Sequence, residues 1–356
     1  MFRVFVRRSS DLTYFTDDPA RELDGVREAG PGWWLRGAGE LRDPHDVERV
    51  LATTDRSATK GYAIVVAAPR PISILVALEP DNAPAIVAAH RTSVAASMEY
   101  LEQRGLVVRR QSGDEHHDEP ARWERIVSFT HGVNRHGEPH LHDHVLVGAR
   151  PDGERTVLDS RSLFVHVPAA DALYRSSLRH ELASHTPWVA WRSFKGIEHV
   201  GGLDEGYRSL WGGHHDTRGE KLHWERDDAL NAWRGDRLRF EPEGTVATPR
   251  RSRDELDEHS FAAALEGRND VARRHLVAAW ANAAVFGESP GEVAKTVDRL
   301  YPELALSRGV RETTIGVGRA RMTANVREHG PRPLRADDLA QWTQRSRERS
   351  RSDLSR

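Results

Sequence analysis

The sequence contains no cysteine among its 356 residues. Disulfides, thiolate metal ligands and cysteine nucleophiles are therefore excluded, and a disulfide-stapled secreted domain is not expected. The chain also lacks an apolar run of about 18 residues, the length that a membrane-spanning helix needs. The apolar part of its opening stretch, MFRVFVRRSS, is too short for a signal peptide and is followed too early by charged residues. We therefore expect a cytoplasmic protein without a membrane segment.

Neither sign of charge is in excess. The chain has 52 basic and 54 acidic residues and a formal net charge of −2. Its overall charge therefore argues neither for nor against a nucleic-acid partner, and any basic surface must be local. Two residue types are abundant, histidine with 19 copies and tryptophan with 10. Histidine favours metal or phosphate chemistry, and tryptophan provides flat stacking surfaces.

The pattern of apolar residues predicts a domain in which strands and helices are mixed. FRVFVR alternates as a strand does, and GYAIVVA and ISILVAL are expected to be buried strand segments separated by PRP. Residues from Asn82 to Arg104 follow a helical period. We predict one domain over residues 1–240, a linker rich in Pro, Gly, Arg and Glu over 241–256, and a helical region with a basic tail over 257–356.

The segment EPHLHDHVLV, Glu138–Val147, places three histidines at alternate positions of a predicted strand. Alternate residues of a strand face the same side. If this strand pairs with the preceding IVSFTH across GVNRHGEP, His131 comes opposite a residue near position 142. Three imidazoles from two strands can bind a divalent ion and leave coordination positions open. A single strand histidine is usually an ordinary polar residue, but this pattern is difficult to explain by packing. The residues alone leave four candidate ligands, namely His131, His140, His142 and His144.

The segment FTHGVNRHGEPHLHDHVLVGA resembles the pattern F-x-H, R, D/E-P-x-L-H-x-H of conjugative relaxases of the TrwC/TraI type. These form the MobF family of the HUH endonuclease superfamily. The resemblance implies that His131, His142 and His144 are the metal ligands and that His140 is not. It implies a divalent ion, Mg²⁺ or Mn²⁺ with Zn²⁺ as the alternative. It also implies an antiparallel-sheet α/β (α+β) relaxase core with flanking helices, to which the chain adds its helical C-terminal region.

The resemblance also points to a nucleophile. Tyr14 lies directly after the first predicted strand, beside Phe15. Family members carry their nucleophilic tyrosines at this position, often as an adjacent pair, so Tyr14 matches the first and Phe15 replaces the second. The resemblance implies that Tyr14 attacks a phosphodiester of single-stranded DNA and forms a 5′-phosphotyrosine. Lewis-acid polarisation of the phosphate would make a weak phenol competent near neutral pH.

One position departs from the family. GYAIVVAAPRPIS is similar to the family block G-x-D-L-T-F-S-A-P-K-S-V-S, with Pro69 and Ser73 in place but Ala63 where the block has an aspartate. That aspartate is expected to orient a metal histidine or to take the tyrosine proton. Its absence indicates either weakened or altered catalysis or a substitute carboxylate. The candidate substitutes are Asp17, Asp18 and Glu124. The likeness as a whole extends over about Met1–Phe240.

Candidate DNA contacts combine aromatic rings with basic side chains, the combination that binds single strands. The candidates are Arg7, Trp33, Trp34, Arg135, Arg218 and Lys221. For any single tryptophan, packing in the core is the alternative, and Arg135 is equally well interpreted as a solvated hairpin residue. The terminal RSRERSRSDLSR is either a nucleic-acid tail or an exposed chain end.

The resemblance implies a site- and strand-specific DNA relaxase that acts in conjugative plasmid or integrative-element transfer. Its expected partners are single-stranded or supercoiled DNA at an origin, with relaxosome accessory and coupling proteins. A rolling-circle replication initiator would use the same chemistry. A DNA-binding module that has lost catalysis is a second alternative, motivated by Ala63 and Phe15. A His-metal hydrolase of small molecules is a third. No G-x-x-x-x-G-K-S/T helicase signature occurs in the sequence.

Overall fold

The structure is a computed structural model, and it describes somewhat more than half of the chain. The described residues are 2–8, 15, 32–36, 59–112, 115–123, 126–134, 138–149, 158–185, 191–194, 197–200, 252–266, 271–307, 310–317 and 320–327. The helices in this part are α1 (Arg70–Leu78), α2 (Ala83–Arg104), α3 (Ser160–His185), α4 (Arg253–Leu265), α5 (Arg273–Ala283) and α6 (Pro290–Ser307). The strands are β1 (Phe2–Arg7), β2 (Gly32–Arg36), β3 (Gly61–Ala67), β4 (Val107–Ser112), β5 (Glu115–Pro120), β6 (Ile126–Val133), β7 (Pro139–Gly148), β8 (Trp191–Phe194), β9 (Ile197–Val200), β10 (Val310–Val317) and β11 (Ala320–Arg327).

A five-stranded sheet organises the molecule. Its strand order is β1-β3-β7-β6-β2, and all four neighbouring pairs are antiparallel. β7 is the central strand. It begins at Pro139, shortly after β6 ends at Val133. The predicted hairpin of β6 and β7 is therefore confirmed. The shorter strands pair as β4-β5, β8-β9 and β10-β11.

The two faces of the sheet differ in what covers them. On the back face, side chains such as Ile64 and Val145 belong to the main core together with Val94 of α2 and Leu178 of α3. The front face carries a second, smaller apolar cluster and, beside it, the histidines of the central hairpin. That cluster, called here the front cluster, consists of Phe15, Ala63, Val127, Phe129 and Leu146. Period-two alternation along β3, β6 and β7 produces this division.

The segment ISILVAL forms a helix, so the expectation of a strand there was wrong. It lies in α1, which has Pro71 in its first turn and whose residues Pro71–Ala77 are all buried. A proline is tolerated in the first turn because the backbone N–H there has no partner within the helix. A short helix that is buried all round shows no amphipathic period, which made it indistinguishable from a buried strand.

The C-terminal helices α4, α5 and α6 share the main core with α3. Phe261, Trp280 and Val297 belong to the same buried cluster as Leu178. The buried guanidinium of Arg179 in α3 donates hydrogen bonds to the carbonyls of Ala281 and Ala284 at the end of α5, which fixes the two helices together. The helices predicted in this region are confirmed as far as Ser307. The hairpin β10-β11 that follows was not predicted. Within the described residues, no helix is both long and apolar enough to cross a membrane.

Candidate metal centre

Three buried histidines meet on the front face of the central hairpin. His131 of β6 lies directly opposite His142 of β7, as the alternation predicted, and His144 follows two residues along the same face. One ring nitrogen from each of the three lies within 4.8 Å of the others. All three side chains are buried. The pairing of two antiparallel strands thus brings together residues that are 13 positions apart in the chain.

In two of the rings, a hydrogen bond to a backbone carbonyl determines which nitrogen carries the proton. Nδ1 of His142 donates to the carbonyl of His140 at 2.6 Å, and Nε2 of His131 donates to the carbonyl of Phe15 at 3.1 Å. A neutral imidazole carries one proton, so the lone pairs lie on Nε2 of His142 and Nδ1 of His131. Burial, followed by the charges of His140, His144 and His131, lowers the pKa of His142 well below its ordinary value. The ring is therefore neutral, the form that a metal ligand requires.

The fourth candidate, His140, is not part of this group of nitrogens. Its ring centroid lies 4.6 Å from that of His142, and burial, followed by nearby positive charges, lowers its pKa to about 4. The geometry thus brings together the three histidines that the resemblance selected, and it leaves His140 beside them. A set of three neutral imidazoles suits a divalent transition metal and leaves positions open for oxygen ligands.

The front cluster lines one side of the histidines. The Phe15 ring meets the His144 ring edge-on, with centroids 5.2 Å apart, and stacks on Phe129 at 6.2 Å. Ala63 lies opposite Leu146, which is two residues beyond His144 on the same face. An aspartate at position 63 would project among these apolar groups. The surface around Ala63, where the family resemblance led us to expect an aspartate, is therefore apolar in this chain.

The back face of β7 carries a buried polar network, called here the Asp143 network. Asp143 accepts hydrogen bonds from Ser128 Oγ at 2.5 Å and from His90 Nε2 at 3.1 Å. His90 Nδ1 in turn contacts the Tyr174 hydroxyl at 2.7 Å. Because an ionised carboxylate only accepts, Nε2 of His90 carries its proton. Burial raises the pKa of Asp143, but His90, then Ser128 and Arg91, outweigh it and lower the pKa to about 2. The carboxylate is therefore charged at neutral pH.

The Asp143 network was missed in the sequence, although one signal was present. The five strands of the main sheet contain a single acidic residue, Asp143, and it interrupts the alternation of histidines in HLHDHV. A charged residue at a position that faces a core requires partners. Its hydrogen-bond partners Ser128 and His90 are 15 and 53 residues away, and nothing in the local sequence identified them.

Several predicted site residues lie outside the described part of the chain. They are Tyr14, Arg135, Arg218 and Lys221, together with the substitute carboxylates Asp17, Asp18 and Glu124. Trp33 and Trp34 lie in the edge strand β2, in register with Ser128 and Val127 of β6. Arg7 is only 7% exposed and pairs with Gly61, at the end of β3 away from Ala67, the partner of His142. Their contacts with DNA stay predictions.

An antiparallel sheet with helices on its back face and a histidine triad on its front face makes this an α+β protein with a metal-type site. The family model described as TrwC relaxase matches residues 34–211, which is 178 of the 356 residues, or half of the chain. The chain belongs to the TrwC relaxase family. The resemblance found in the sequence is thereby confirmed.

The chain is similar to solved structures of one relaxase. The copper-bound structure of the conjugative relaxase TrwC in complex with oriT DNA is 18% identical, with a TM-score of 0.50, and the match covers 86% of this chain and 99% of that one. A metal-bound structure of TrwC with oriT DNA is 19% identical, with a TM-score of 0.47, covering 85% of this chain and 99% of the other. At 18% identity the likeness to the copper-bound structure concerns the fold alone, and it confirms the expected fold class. No curated protein matches the sequence.

Proposed function

We propose that this chain is a metal-dependent, site- and strand-specific DNA relaxase in which Tyr14 is the nucleophile. One observation carries the proposal. The three histidines of the central hairpin form a metal-type cluster, and Phe15, the residue that follows Tyr14, contacts two of them through its carbonyl and its ring. Tyr14 is bonded directly to Phe15, and this supports Tyr14 as the nucleophile.

His131, His142 and His144 would hold the divalent ion, Mg²⁺ or Mn²⁺, with Zn²⁺ as the alternative. When bound, such an ion supplies Lewis-acid polarisation of a phosphate oxygen. The hydrogen bonds from His131 to Phe15 and from His142 to His140 orient two of the three rings for this purpose. Second partners of this kind are typical of metal-binding histidines.

The proposed reaction is a transesterification. The phenolic oxygen of Tyr14 forms a bond to the phosphorus of one phosphodiester, and the bond between that phosphorus and the DNA 3′-oxygen breaks. The product is a 5′-phosphotyrosine with a free 3′-hydroxyl, and the same hydroxyl can reverse the step. Because Phe15 stands beside Tyr14, this pair offers one attacking hydroxyl. That suits one nick followed by one religation, as plasmid or integrative-element transfer requires.

The proposed substrate is single-stranded or supercoiled DNA at an origin. A structure of the conjugative relaxase TrwC in complex with oriT DNA supports the same class of ligand here. We propose stacking by Trp33 and Trp34 of β2 and phosphate contacts by Arg7, Arg135, Arg218 and Lys221. Relaxosome accessory and coupling proteins are the proposed protein partners, and the cytoplasm is the proposed location. A replication initiator would differ in nicking a replication origin instead of a transfer origin.

A DNA-binding module that has lost catalysis is the second candidate. The observation that favours it is the front cluster, in which Ala63 and Phe15 are apolar where related proteins are expected to carry an aspartate and a second tyrosine. Such a module would keep affinity for DNA and for metal but form no covalent product.

Capture of the covalent intermediate separates the two candidates. The purified chain is incubated with Mn²⁺ and a library of single-stranded oligonucleotides, and adducts are resolved under denaturing conditions and mapped by mass spectrometry. We expect an adduct on the peptide that contains Tyr14, lost in Tyr14→Phe and kept in the control Tyr301→Phe, a buried tyrosine of α6. Tight DNA binding without any adduct would favour the module. An adduct that survives in Tyr14→Phe would refute Tyr14 as the nucleophile.

A further inference from the structure

Asp143 is the one acidic residue in the five strands of the main sheet, and it lies between two histidines of the triad. His142 and His144 face the front, so Asp143 projects from the back of the same strand. Its side chain is fully buried, with 0% exposure. A buried carboxylate is costly unless it is hydrogen-bonded and charge-balanced, so a residue at this position calls for an explanation.

The carboxylate is anchored from three elements. Ser128 of β6 and His90 of α2 donate to it directly, and Tyr174 of α3 contacts the far side of the His90 ring. Arg91, the neighbour of His90, bonds to Thr130, which lies opposite Asp143 in the register. The peptide that links His142 to His144 is therefore fixed from behind by both helices of the back face.

On the front side, the described strands and the front cluster carry no acidic side chain. A divalent ion bound by three neutral imidazoles in a buried site keeps its full charge, and a nearby negative charge lowers the free energy of that charge. The front cluster provides none, because all five of its residues are apolar. None of the five strands contains another acidic residue.

We propose that Asp143 is a positioning residue of the metal centre, which from behind the strand orients His142 and His144 and provides negative charge that neither the front cluster nor the front side of the five strands provides. The inference rests on the proposed function in one respect, that the triad binds a divalent ion. It assigns to Asp143 the function for which an aspartate was expected at Ala63. A purely structural network would instead join the helices to the sheet without affecting the metal.

Charge removal with shape retained tests the inference. In Asp143→Asn the side chain keeps its size and one carbonyl oxygen. The matched control is Ser128→Ala, which deletes one hydrogen bond to the same carboxylate and keeps the charge. Affinities for Mn²⁺ and Co²⁺ alone are measured by calorimetry, and the d–d absorption of Co²⁺ reports the ligand geometry. Thermal unfolding of the metal-free proteins is recorded in parallel.

We expect Asp143→Asn to weaken binding of both ions by about tenfold or more, within the range found for residues that orient metal ligands, and to alter the Co²⁺ spectrum. Ser128→Ala is expected to change the affinity by less than about threefold. If Asp143→Asn lowers the melting temperature but binds both ions like the parent chain, the network is structural and the inference is overturned.

A second variant keeps the test valid if Asp143→Asn does not fold. Ala63→Asp adds a carboxylate on the front face, diagonal to His144 in the register. If Asp143 already balances the charge, we expect this variant to gain less than about threefold in Mn²⁺ affinity. A gain above about tenfold would show that the site lacked a carboxylate, and it would overturn the inference.

Different results would contradict the proposed metal-dependent function and the proposed role of Asp143. A parent chain that binds neither Mn²⁺ nor Co²⁺ would remove the metal-dependent function together with this inference. A parent chain that binds both ions and forms the Tyr14 adduct, with an Asp143→Asn variant of unchanged affinity and spectrum, would remove only the inference.

Discussion

Nε2 of His131 donates a hydrogen bond to the backbone carbonyl of Phe15, at 3.1 Å, across 116 residues of sequence. The same phenylalanine places its ring edge-on against His144. Phe15 is thus fixed to both strands of the hairpin that carries the metal-type cluster. Phe15 follows directly after Tyr14, the nucleophile that the family resemblance implied.

Replacement of Phe15 by alanine should impair both the fold and the chemistry. The variant loses a buried ring that contacts His144 and Phe129, so we expect the free energy of unfolding to fall by about 3 kcal/mol. We also expect slower adduct formation at saturating DNA, because the residue bonded to Tyr14 would lose its ring contact with His144. Urea denaturation and single-turnover adduct assays measure the two effects. Phe15→Leu, which keeps the apolar bulk, is the control, and an unchanged adduct rate in Phe15→Ala would contradict the prediction.

Substitution of individual histidines should separate ligands from neighbours. We expect His142→Ala to weaken Mn²⁺ and Zn²⁺ binding by more than about 100-fold, beyond the range typical of residues that only orient a ligand. His140→Ala should cost less than about tenfold, since its nitrogen is not among the three that lie within 4.8 Å of one another. Calorimetry at neutral pH measures both. Equal losses in the two variants would mean that His140 is itself a ligand.

The arrangement of the histidines was predictable because it depends on residues that are close together in the sequence. Period-two alternation and a short connection determine that His131 faces His142, and the structure has this register. The choice of His131 over His140 came from the family pattern and not from geometry. The strand order, with β7 between β3 and β6, depends on contacts between distant segments and could not be derived from the periodicity.

Two features could not be predicted from the local sequence, each for a different reason. Helix α1 is buried on every side, so its seven buried residues carried no period that separates a helix from a strand. The Asp143 network depends on His90 and Tyr174, which the fold of α2 and α3 against the sheet brings together. The helical period predicted for Asn82 to Arg104 includes His90 but gives no indication of the carboxylate that this side chain contacts.

The turn between α5 and α6 offers a test of how the C-terminal helices are joined to α3. Gly287 has φ +76°, and a Cβ there would lie 2.3 Å from the Ser176 carbonyl oxygen and 2.4 Å from the His180 nitrogen, both backbone atoms. We expect Gly287→Ala to lower the free energy of unfolding by about 2 kcal/mol or more. Gly291→Ala, in the first turn of α6, is the control, because its nearest neighbour would be 4.0 Å away. Urea denaturation measures both, and similar stabilities would contradict the prediction.

His166 should make the protein sensitive to acid. Burial, followed by the positive charges of Arg274, Arg104 and His275, lowers its pKa to about 4, and its Nδ1 lies 3.1 Å from the Tyr100 hydroxyl. An unfolded histidine titrates near pH 6.5. Between these values the unfolded chain binds the proton and the folded chain does not, so the free energy of unfolding falls as the pH drops from about 6.5 to about 4.

The contribution of His166 to this pH dependence can be isolated with the variant His166→Gln, whose side chain cannot take up a proton. Above about pH 6.5 both forms of His166 are neutral, and the site adds no pH dependence. At about pH 5 we expect the parent chain to have lost of the order of 2 kcal/mol more than the variant, each relative to its own stability at about pH 7.5. The measurement is urea denaturation at the two pH values, with the exposed His180→Gln as the control. Parallel losses in the parent chain and His166→Gln would mean that His166 is protonated in the folded protein and that the positive charges around it are too well solvated to matter.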